Sequence, residues 1–386
     1  MMNREIDKNR KVFVAMSGGV DSSVVAGMMK EAGYDVVGVT MCFSISHPNS
    51  RKPSCCGVEG IDDARRAAQL LDIPHYVLDF AADINDFIIE DFTNEYLSGR
   101  TPNPCVRCNQ YLKFGSLYTK VMSLGAGYLA TGHYGKIAFN PHKDRYELKK
   151  AADEQKDQSY FLYSMRRETL PHVLFPLGDM TKEQVRRLAR KYKLNTAEKP
   201  ESQDICFVPD AGYKQFIRER VGDQAFRPGP FVDHEGKVVG QHQGIANYTI
   251  GQRDKLGIAL GYPVYVNRID KQANTVHVGP LAYLFAKGLT AGQFNALSME
   301  IPREPCEVAA RIRYNSREVK AMLTYLGNGK IRLDFNEPQK SVTPGQSAVF
   351  YQGDVVLGGA VIDEPVRCEI SDPVNWDDNI FAPSRK

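Results

Sequence analysis

The chain has 386 residues, 42% of them hydrophobic and 25% charged, which is the make-up of an ordinary soluble globular protein with two or three domains. Its formal net charge of +3 permits a nucleic-acid partner but is too small to establish one. No apolar run is long enough for a membrane span, and the charged opening Met1–Arg10 lacks the apolar centre of a secretory signal, so no membrane partner and a cytoplasmic location are expected. In that compartment eight cysteines point to metal or redox chemistry rather than to a disulfide framework.

The first apolar run, Val12 to Met16, predicts a buried strand. It enters Ser17-Gly18-Gly19-Val20-Asp21-Ser22-Ser23, and Val24 to Met29 then predicts a helix. A strand, glycine turn and helix in this order aim backbone N–H groups and a helix N-terminus at an anion. Two glycines let the backbone approach closely, and three serines add hydroxyl donors. A carboxylate beside a phosphate is repelled unless a cation intervenes, so Asp21 predicts Mg²⁺. Neither G-x-G-x-x-G nor G-x-x-x-x-G-K-[ST] is present at this turn. Ser17 to Ser22 resembles the pyrophosphate loop of the ATP pyrophosphatase superfamily, whose members cleave ATP between the α and β phosphates and adenylate a carbonyl-type oxygen.

Tyr34 to Met41 predicts a second strand, and the βαβ unit so formed implies a parallel sheet with its ligand at the carboxyl ends of the strands, where Ser17 and Met41 fall. Residues 42–57 form a loop that carries Cys55 and Cys56. Ile61 to Leu71 has helical spacing, Tyr76 to Phe80 reads as a strand, and Ile84 to Leu97 as a helix. Ser98 to Asn109 holds two prolines, Pro102 and Pro104, and is expected to be a stiff, extended loop. A helix from Tyr111 to Val121 and a strand from Tyr128 into Gly132-His133-Tyr134 follow. Residues 140–155 read as a polar excursion, Lys156-Asp157-Gln158 as the polar head of a helix, and Lys182 to Tyr192 as an amphipathic helix. Near residue 225 the texture changes to short alternating runs and frequent glycines. The expected organisation is an α/β parallel-sheet nucleotide-binding catalytic domain (1–225), a small β-rich central domain (226–290), a C-terminal β-barrel (291–368) and a tail (369–386). In the barrel, period-two alternation puts Arg311 and Arg313 on one polar strand face that could grip phosphates.

Cys105 and Cys108 form a C-x-x-C in the proline loop, and Cys206 lies in a distant polar segment. A thioredoxin-type pair lacks its usual surroundings, and a structural zinc site lacks a second C-x-x-C. Three converging thiolates could hold an iron–sulfur cluster with one open iron. Ser17–Ser22, Arg100-Thr-Pro-Asn-Pro104 with Cys108-Asn109, Ala130-Thr-Gly-His-Tyr134, Lys156-Asp-Gln-Ser-Tyr160, Ser202–Cys206 and Thr249-Ile-Gly-Gln-Arg253 together resemble the tRNA-specific 2-thiouridylase family over about residues 11–365. That resemblance implies a sulfurtransferase that adenylates the C2 oxygen of the wobble uridine in tRNAs for Lys, Glu and Gln, then replaces that oxygen with sulfur.

The resemblance implies that Ala15, Met16, Ser17, Gly18, Gly19, Val20, Asp21 and Ser22 bind ATP, with Met41 on the adenine and Gly132 beside the nucleotide. It makes Cys108 the nucleophile and Cys206 the persulfide carrier, with sulfur from a cysteine desulfurase, a carrier protein or free sulfide. Asn103, Pro104 and Cys105 would face the target base, and His133, Lys156, Asp157, Gln158, Arg313, Tyr314 and Gln346 would touch tRNA. The family's best-known members carry Asp where this chain has Cys105, so Cys105, Cys108 and Cys206 could hold a [4Fe–4S] cluster in place of, or beside, a persulfide relay. The competing reading is a ligase or amidotransferase of the same superfamily that adenylates a small metabolite.

Overall fold

The computed structural model describes residues 10–44, 58–199 and 205–369; Cys55, Cys56 and the Ser202–Asp204 part of one motif lie outside them. The first sheet is parallel, with strands in the order β3 (His75–Asp79), β2 (Val36–Cys42), β1 (Val12–Ala15), β4 (Tyr128–Thr131) and β7 (Val173–Leu174). β1 leads through α1 (Val20–Glu31) to β2 on one side, while β4 lies on its other side. The order in which strands are laid down thus reverses between β1 and β4, which opens a crevice at their carboxyl ends. Val12, Val14, Val24, Val25 and Ala26 are wholly buried, so β1 and α1 form the centre of this domain rather than its rim. α2 (Val58–Leu70) precedes β3, and beyond β7 α8 (Lys182–Lys191) packs against α1.

The expected helix 84–97 is a longer one: α3 (Ala81–Ile84), a π-helical stretch Asn85–Ile89 and α4 (Glu90–Leu97) run on continuously. The proline loop is shorter than expected. Extended chain ends at Asn103, and α5 (Pro104–Arg107) begins there. Proline at the first helical position needs no N–H and has its φ already set, and the Asn103 side chain caps the turn by accepting from the Val106 N–H at 3.3 Å. α5 runs into a ten-residue π-helix, Cys108–Leu117, and then α6 (Tyr118–Ser123). Cys105 and Cys108 are therefore helical residues.

The polar excursion is a second correction. β5 (Lys136–Asn140) and β6 (Arg145–Lys149) form a hairpin that leaves the first domain and joins the barrel sheet through β6. α7 (Ser159–Leu162) follows it. After α9 (Tyr213–Val221), β8 (Gly229–Val232), β9 (Val238–His242), β10 (Tyr265–Asp270) and β11 (Thr275–Gly279) make a four-stranded sheet, ordered β10-β11-β8-β9. β12 (Phe285–Ala296), β13 (Cys306–Arg311), β14 (Val319–Gly327), β15 (Lys330–Lys340), β16 (Ser347–Gln352) and β17 (Val355–Arg367) close into an antiparallel barrel through the β12–β17 pairing.

The barrel and the parallel-sheet domain share one core. Leu297, Val349, Tyr351 and Val356 of the barrel lie in the same apolar cluster as Phe13, Phe92 and Leu129. Polar struts fix the seam. The Tyr160 hydroxyl donates to the Ser347 carbonyl at 2.9 Å, Arg167 Nε donates to the Leu297 carbonyl at 3.0 Å, and Asn295 donates to the carbonyls of Tyr163 and Met165 at 2.6 and 2.8 Å. Groups fixed on either side of this seam are thereby held at a set distance.

Candidate functional site

The Ser-Gly-Gly turn sits at the carboxyl end of β1 and opens α1 with Gly19 at the N-cap, where no side chain caps the helix. The first-turn amides of Val20, Asp21 and Ser22 therefore face outward as an anion cradle. The turn is braced from within. Ser17 N–H donates to Ser22 Oγ at 3.1 Å, and the hydroxyls of Ser22 and Ser23 donate to the Gly19 carbonyl at 3.3 and 2.9 Å. Ser22 and Ser23 are buried while Ser17 is exposed, so of the three hydroxyls Ser17 is the one that faces solvent. Gly18 has φ +74°, and a Cβ there would stand 2.2 Å from the Gly60 carbonyl oxygen. Gly132, at the end of β4, is as constrained: a Cβ would lie 2.8 Å from Ser22 N. Its missing side chain lets β4 press against the start of α1. Met41, at the end of β2, is half-buried and Met16 is buried beneath the turn.

Asp21 is already paired. Lys182 Nζ donates to its two carboxylate oxygens at 2.8 and 2.9 Å, and the Tyr134 hydroxyl donates to Oδ1 at 3.0 Å. Within the protein, the cation that meets Asp21 is the Lys182 ammonium. Sequence reading marked Lys182 only as the start of a helix. The available signal was its position: a lysine at the first residue of a helix, after a capping threonine, opposes the helix dipole.

The thiol-bearing helix docks onto the same crevice. Lys113, on the π-helix that begins at Cys108, donates to His133 Nε2 at 3.2 Å. An ammonium only donates, so Nε2 accepts and Nδ1–H donates to Thr131 Oγ1 at 2.7 Å. Burial, then the Lys113 charge, hold His133 well below the usual imidazole range, so the ring is neutral. Phe114 and Phe175 pack against it and against each other, with all three ring centroids 5.8 Å apart. Both ring nitrogens are thus engaged within the protein, and His133 acts here as the joint between the two halves of the crevice.

Cys105 is exposed, and Cys108 and Cys206 are half-buried at the border of the same apolar core. Among the described residues no three His, Cys, Asp or Glu side chains are gathered as a metal-holding group, Cys105, Cys108 and Cys206 included. Magnesium asks less of the protein, commonly one or two carboxylates with the rest supplied by phosphates and water, and Asp21 can be that carboxylate.

The expected tRNA-facing residues divide. Pro104 is buried and cannot face a base, whereas Cys105 beside it can. Asn103 is spent on its cap and on Tyr160. Gln346, on the loop before β16, donates to the carbonyls of Thr101 and Pro102 at 3.0 and 3.1 Å, so the barrel holds the segment leading to Cys105. Asp157 is 3% exposed and accepts from Ala151 N–H, Ser159 N–H and the Ser159 hydroxyl at 2.7–3.2 Å, which turns it inward. Gln158 is bound to Tyr134 through two hydrogen bonds of 3.0 and 2.8 Å. Lys156 and Tyr314 are half-buried and Arg313 is exposed, the last donating to the Lys340 carbonyl at 3.2 Å. Arg311 is a correction: it pairs with Glu318 at 2.9 Å and Asp157 at 3.6 Å, and its charge is consumed inside the protein.

Residues 10–210 match the tRNA methyl transferase HUP domain, 214–280 the tRNA methyl transferase PRC-barrel domain, and 286–362 the aminomethyltransferase beta-barrel domain. The tRNA-specific 2-thiouridylase MnmA of Carboxydothermus hydrogenoformans is 49% identical over 358 residues, covering 92% of this chain and 98% of that protein. The protein of the same name from Acetivibrio thermocellus is 48% identical over 356 residues, covering 92% and 99%. Among solved structures, the U34-tRNA thiolase NcsA from Methanococcus maripaludis with its [4Fe-4S] cluster matches with a TM-score of 0.35 and 17% identity, covering 57% of this chain and 67% of that one. A likeness at that level carries nothing about chemistry.

Proposed function

The chain belongs to the tRNA-specific 2-thiouridylase family, and on that premise we propose how its own residues perform the reaction. It is a sulfurtransferase that 2-thiolates uridine in tRNA. A small-metabolite ligase is not favoured by this membership. We place the reaction at the wobble uridine of tRNAs for Lys, Glu and Gln, in the cytoplasm; among the described residues no helix is long and apolar enough to cross a membrane.

One contact supports the arrangement above the others: Lys113 with His133, which docks the helix of Cys108 onto the end of β4 beside the Ser17–Ser22 turn. ATP and a uridine presented to the thiols are thereby served by one crevice. The first-turn amides of α1 and the Ser17 hydroxyl receive the pyrophosphate portion of ATP, Gly132 lets β4 close against that first turn beside the nucleotide, and Met41 meets the adenine. Asp21 would hold Mg²⁺, which supplies charge neutralisation for the departing pyrophosphate. The uridine O2 displaces pyrophosphate from the α phosphorus, which converts a poor leaving group into AMP. The uridine leaves its stack to reach the crevice.

Sulfur delivery falls to the two half-buried thiols. The terminal sulfur of a Cys206 persulfide attacks C2, and the C2–O bond breaks with release of AMP. Cys108 thiolate then attacks Cys206 Sγ. The S–S bond to the transferred sulfur breaks, that sulfur stays on C2, and a Cys108–Cys206 disulfide remains for an external thiol to reduce. A desulfurase or carrier protein that itself holds a persulfide passes its outer sulfur to the reduced Cys206 thiolate and leaves as a thiol; hydrosulfide would instead regenerate the persulfide by attacking Cys206 Sγ in the Cys108–Cys206 disulfide and expelling the Cys108 thiolate. Cys105 faces the base, with Lys156, Arg313 and Tyr314 along the RNA path and Gln346 holding the segment that carries Cys105.

The test is thiolation of unmodified tRNA by iron-free enzyme with ATP and a sulfur donor, read on a mercury-containing gel. Cys108→Ser and Cys206→Ser should each abolish thiolation while ATP binding persists. Full activity in either variant refutes the relay.

A further inference from the structure

We propose that Lys182 is a phosphate-binding residue of the nucleotide site, for whose ammonium Asp21 and the pyrophosphate portion of ATP compete. The proposal rests on the reading of the Ser17–Ser22 turn as an ATP site.

Lys182 is far from that turn in sequence, and α8 brings it there deliberately. Thr181 and Gln184 form a reciprocal capping box that fixes where α8 begins, and the Lys182 N–H donates to Asp153 Oδ2 at 3.2 Å. The side chain then leaves the positive end of a helix, where a cation is disfavoured. Its ammonium reaches both oxygens of Asp21, in the first turn of α1, at 2.8 and 2.9 Å. So the first turns of two helices are joined by a lysine from one and an aspartate from the other. Such a site gains most from an incoming anion.

The pair is also poised to open. The Lys182 side chain is 13% exposed and that of Asp21 29%, so both lie in the crevice wall rather than in the core. The Tyr134 hydroxyl donates to Asp21 Oδ1 at 3.0 Å, and Lys182 Nζ stands 5.9 Å from the centre of the Tyr134 ring. When the ammonium moves, Asp21 keeps one donor and is free to face a magnesium ion, while the ammonium follows the phosphates. A carboxylate and a polyphosphate compete for one lysine.

That competition gives opposite signs for two substitutions, which a merely structural ion pair would not. The measurement is calorimetric titration of the full chain with the ATP analogue carrying a methylene between the α and β phosphates, with AMP as the comparison ligand. In Lys182→Met, analogue affinity should fall by about tenfold or more, the value of a charge-assisted hydrogen bond, and AMP affinity by much less. In Asp21→Asn, with EDTA present, the analogue should bind tighter by about fivefold, the Coulomb value of one charge at ~4 Å in water. The double variant should lose that gain. Lys182→Arg, which keeps the charge, should retain more affinity than Lys182→Met, and thermal melts of all four establish that they fold. Unchanged analogue affinity in folded Lys182→Met, or no tightening in Asp21→Asn, overturns the proposal. Failure of the wild-type chain to bind the analogue at all would instead overturn the ATP-site reading.

Discussion

Gly18→Ala and Gly19→Ala differ by one position and should behave differently. Gly18 has φ +74°, a conformation that costs an L-residue about 1–2 kcal/mol. Its new Cβ would lie 2.2 Å from the Gly60 carbonyl oxygen and 2.8 Å from Gly60 Cα, both backbone atoms of α2 that no rotamer change can move. Forced overpacking of this kind adds about 1–3 kcal/mol. Together these put the loss near 2–5 kcal/mol, a large share of an ordinary domain's stability. Gly19 sits at φ −93°, and its Cβ would meet only Ser17 Oγ, at 3.5 Å. Alanine at this N-cap should change stability by no more than about 1 kcal/mol. Urea unfolding followed by circular dichroism compares the two directly. The informative result is in the nucleotide: Gly19→Ala should fold like wild type yet bind the methylene ATP analogue more weakly, because its methyl group faces the side from which phosphate approaches. If Gly18→Ala unfolds like wild type, the packing of α2 against the turn is not as described. If Gly19→Ala binds the analogue normally, the approach of phosphate to that amide is refuted.

His242 carries a pH prediction. It is wholly buried in the central sheet, with Nε2–H donating to the Asn274 carbonyl at 3.0 Å and Nδ1 accepting from the Gly244 N–H at 3.1 Å. Burial lowers its pKa, so below the ordinary imidazole value of about 6.5 the unfolded state binds a proton that the fold refuses, and stability falls as pH falls. His75, His133 and His277 are shifted the same way, so the urea midpoint should drop from about pH 7 to about pH 5 and drop less in His242→Gln; equal slopes would show that His242 does not contribute. Arg311→Met leaves buried Asp157 without its cation and should destabilise by about 3–5 kcal/mol, with part recovered when Asp157→Asn is added. If Arg311→Met instead weakens RNA binding in a filter assay with no loss of stability, the assignment of Arg311 to the interior is wrong.

The elements that the sequence made legible are those in which local pattern and tertiary role agree. The valine-rich β1 and β2 are buried on both faces, as a parallel sheet requires, and the Ser-Gly-Gly turn is required by local geometry at Gly18. Where a pattern serves two roles, the fold departs from what local sequence implies. Pro104 two residues after Pro102 implies an extended loop, but after a capping asparagine it is a helix start. The stretch 140–155 reads as a polar excursion because the hairpin 136–149 that it overlaps has one edge in water and finds its partner, β17, more than 200 residues away. Nothing local announces such a pairing. The Asp21–Lys182 contact spans 161 residues and was invisible for the same reason.

Lys156-Asp157-Gln158 shows the limit most clearly, because a motif can be grouped for function while its side chains separate. Three consecutive residues in an irregular turn point in three directions. Lys156 remains at the surface, Asp157 turns in to Arg311 of the barrel, and Gln158 grips Tyr134, whose hydroxyl in turn holds Asp21. The same short stretch therefore touches the barrel on one side and the nucleotide turn on the other. A substitution there would disturb RNA binding, domain docking and the Asp21 carboxylate by different physical routes, and thiolation activity alone would not tell them apart. Stability, analogue affinity and RNA affinity measured together would, since loss of Asp157 should move the first, loss of the Gln158–Tyr134 pair the second, and loss of the Lys156 charge the third.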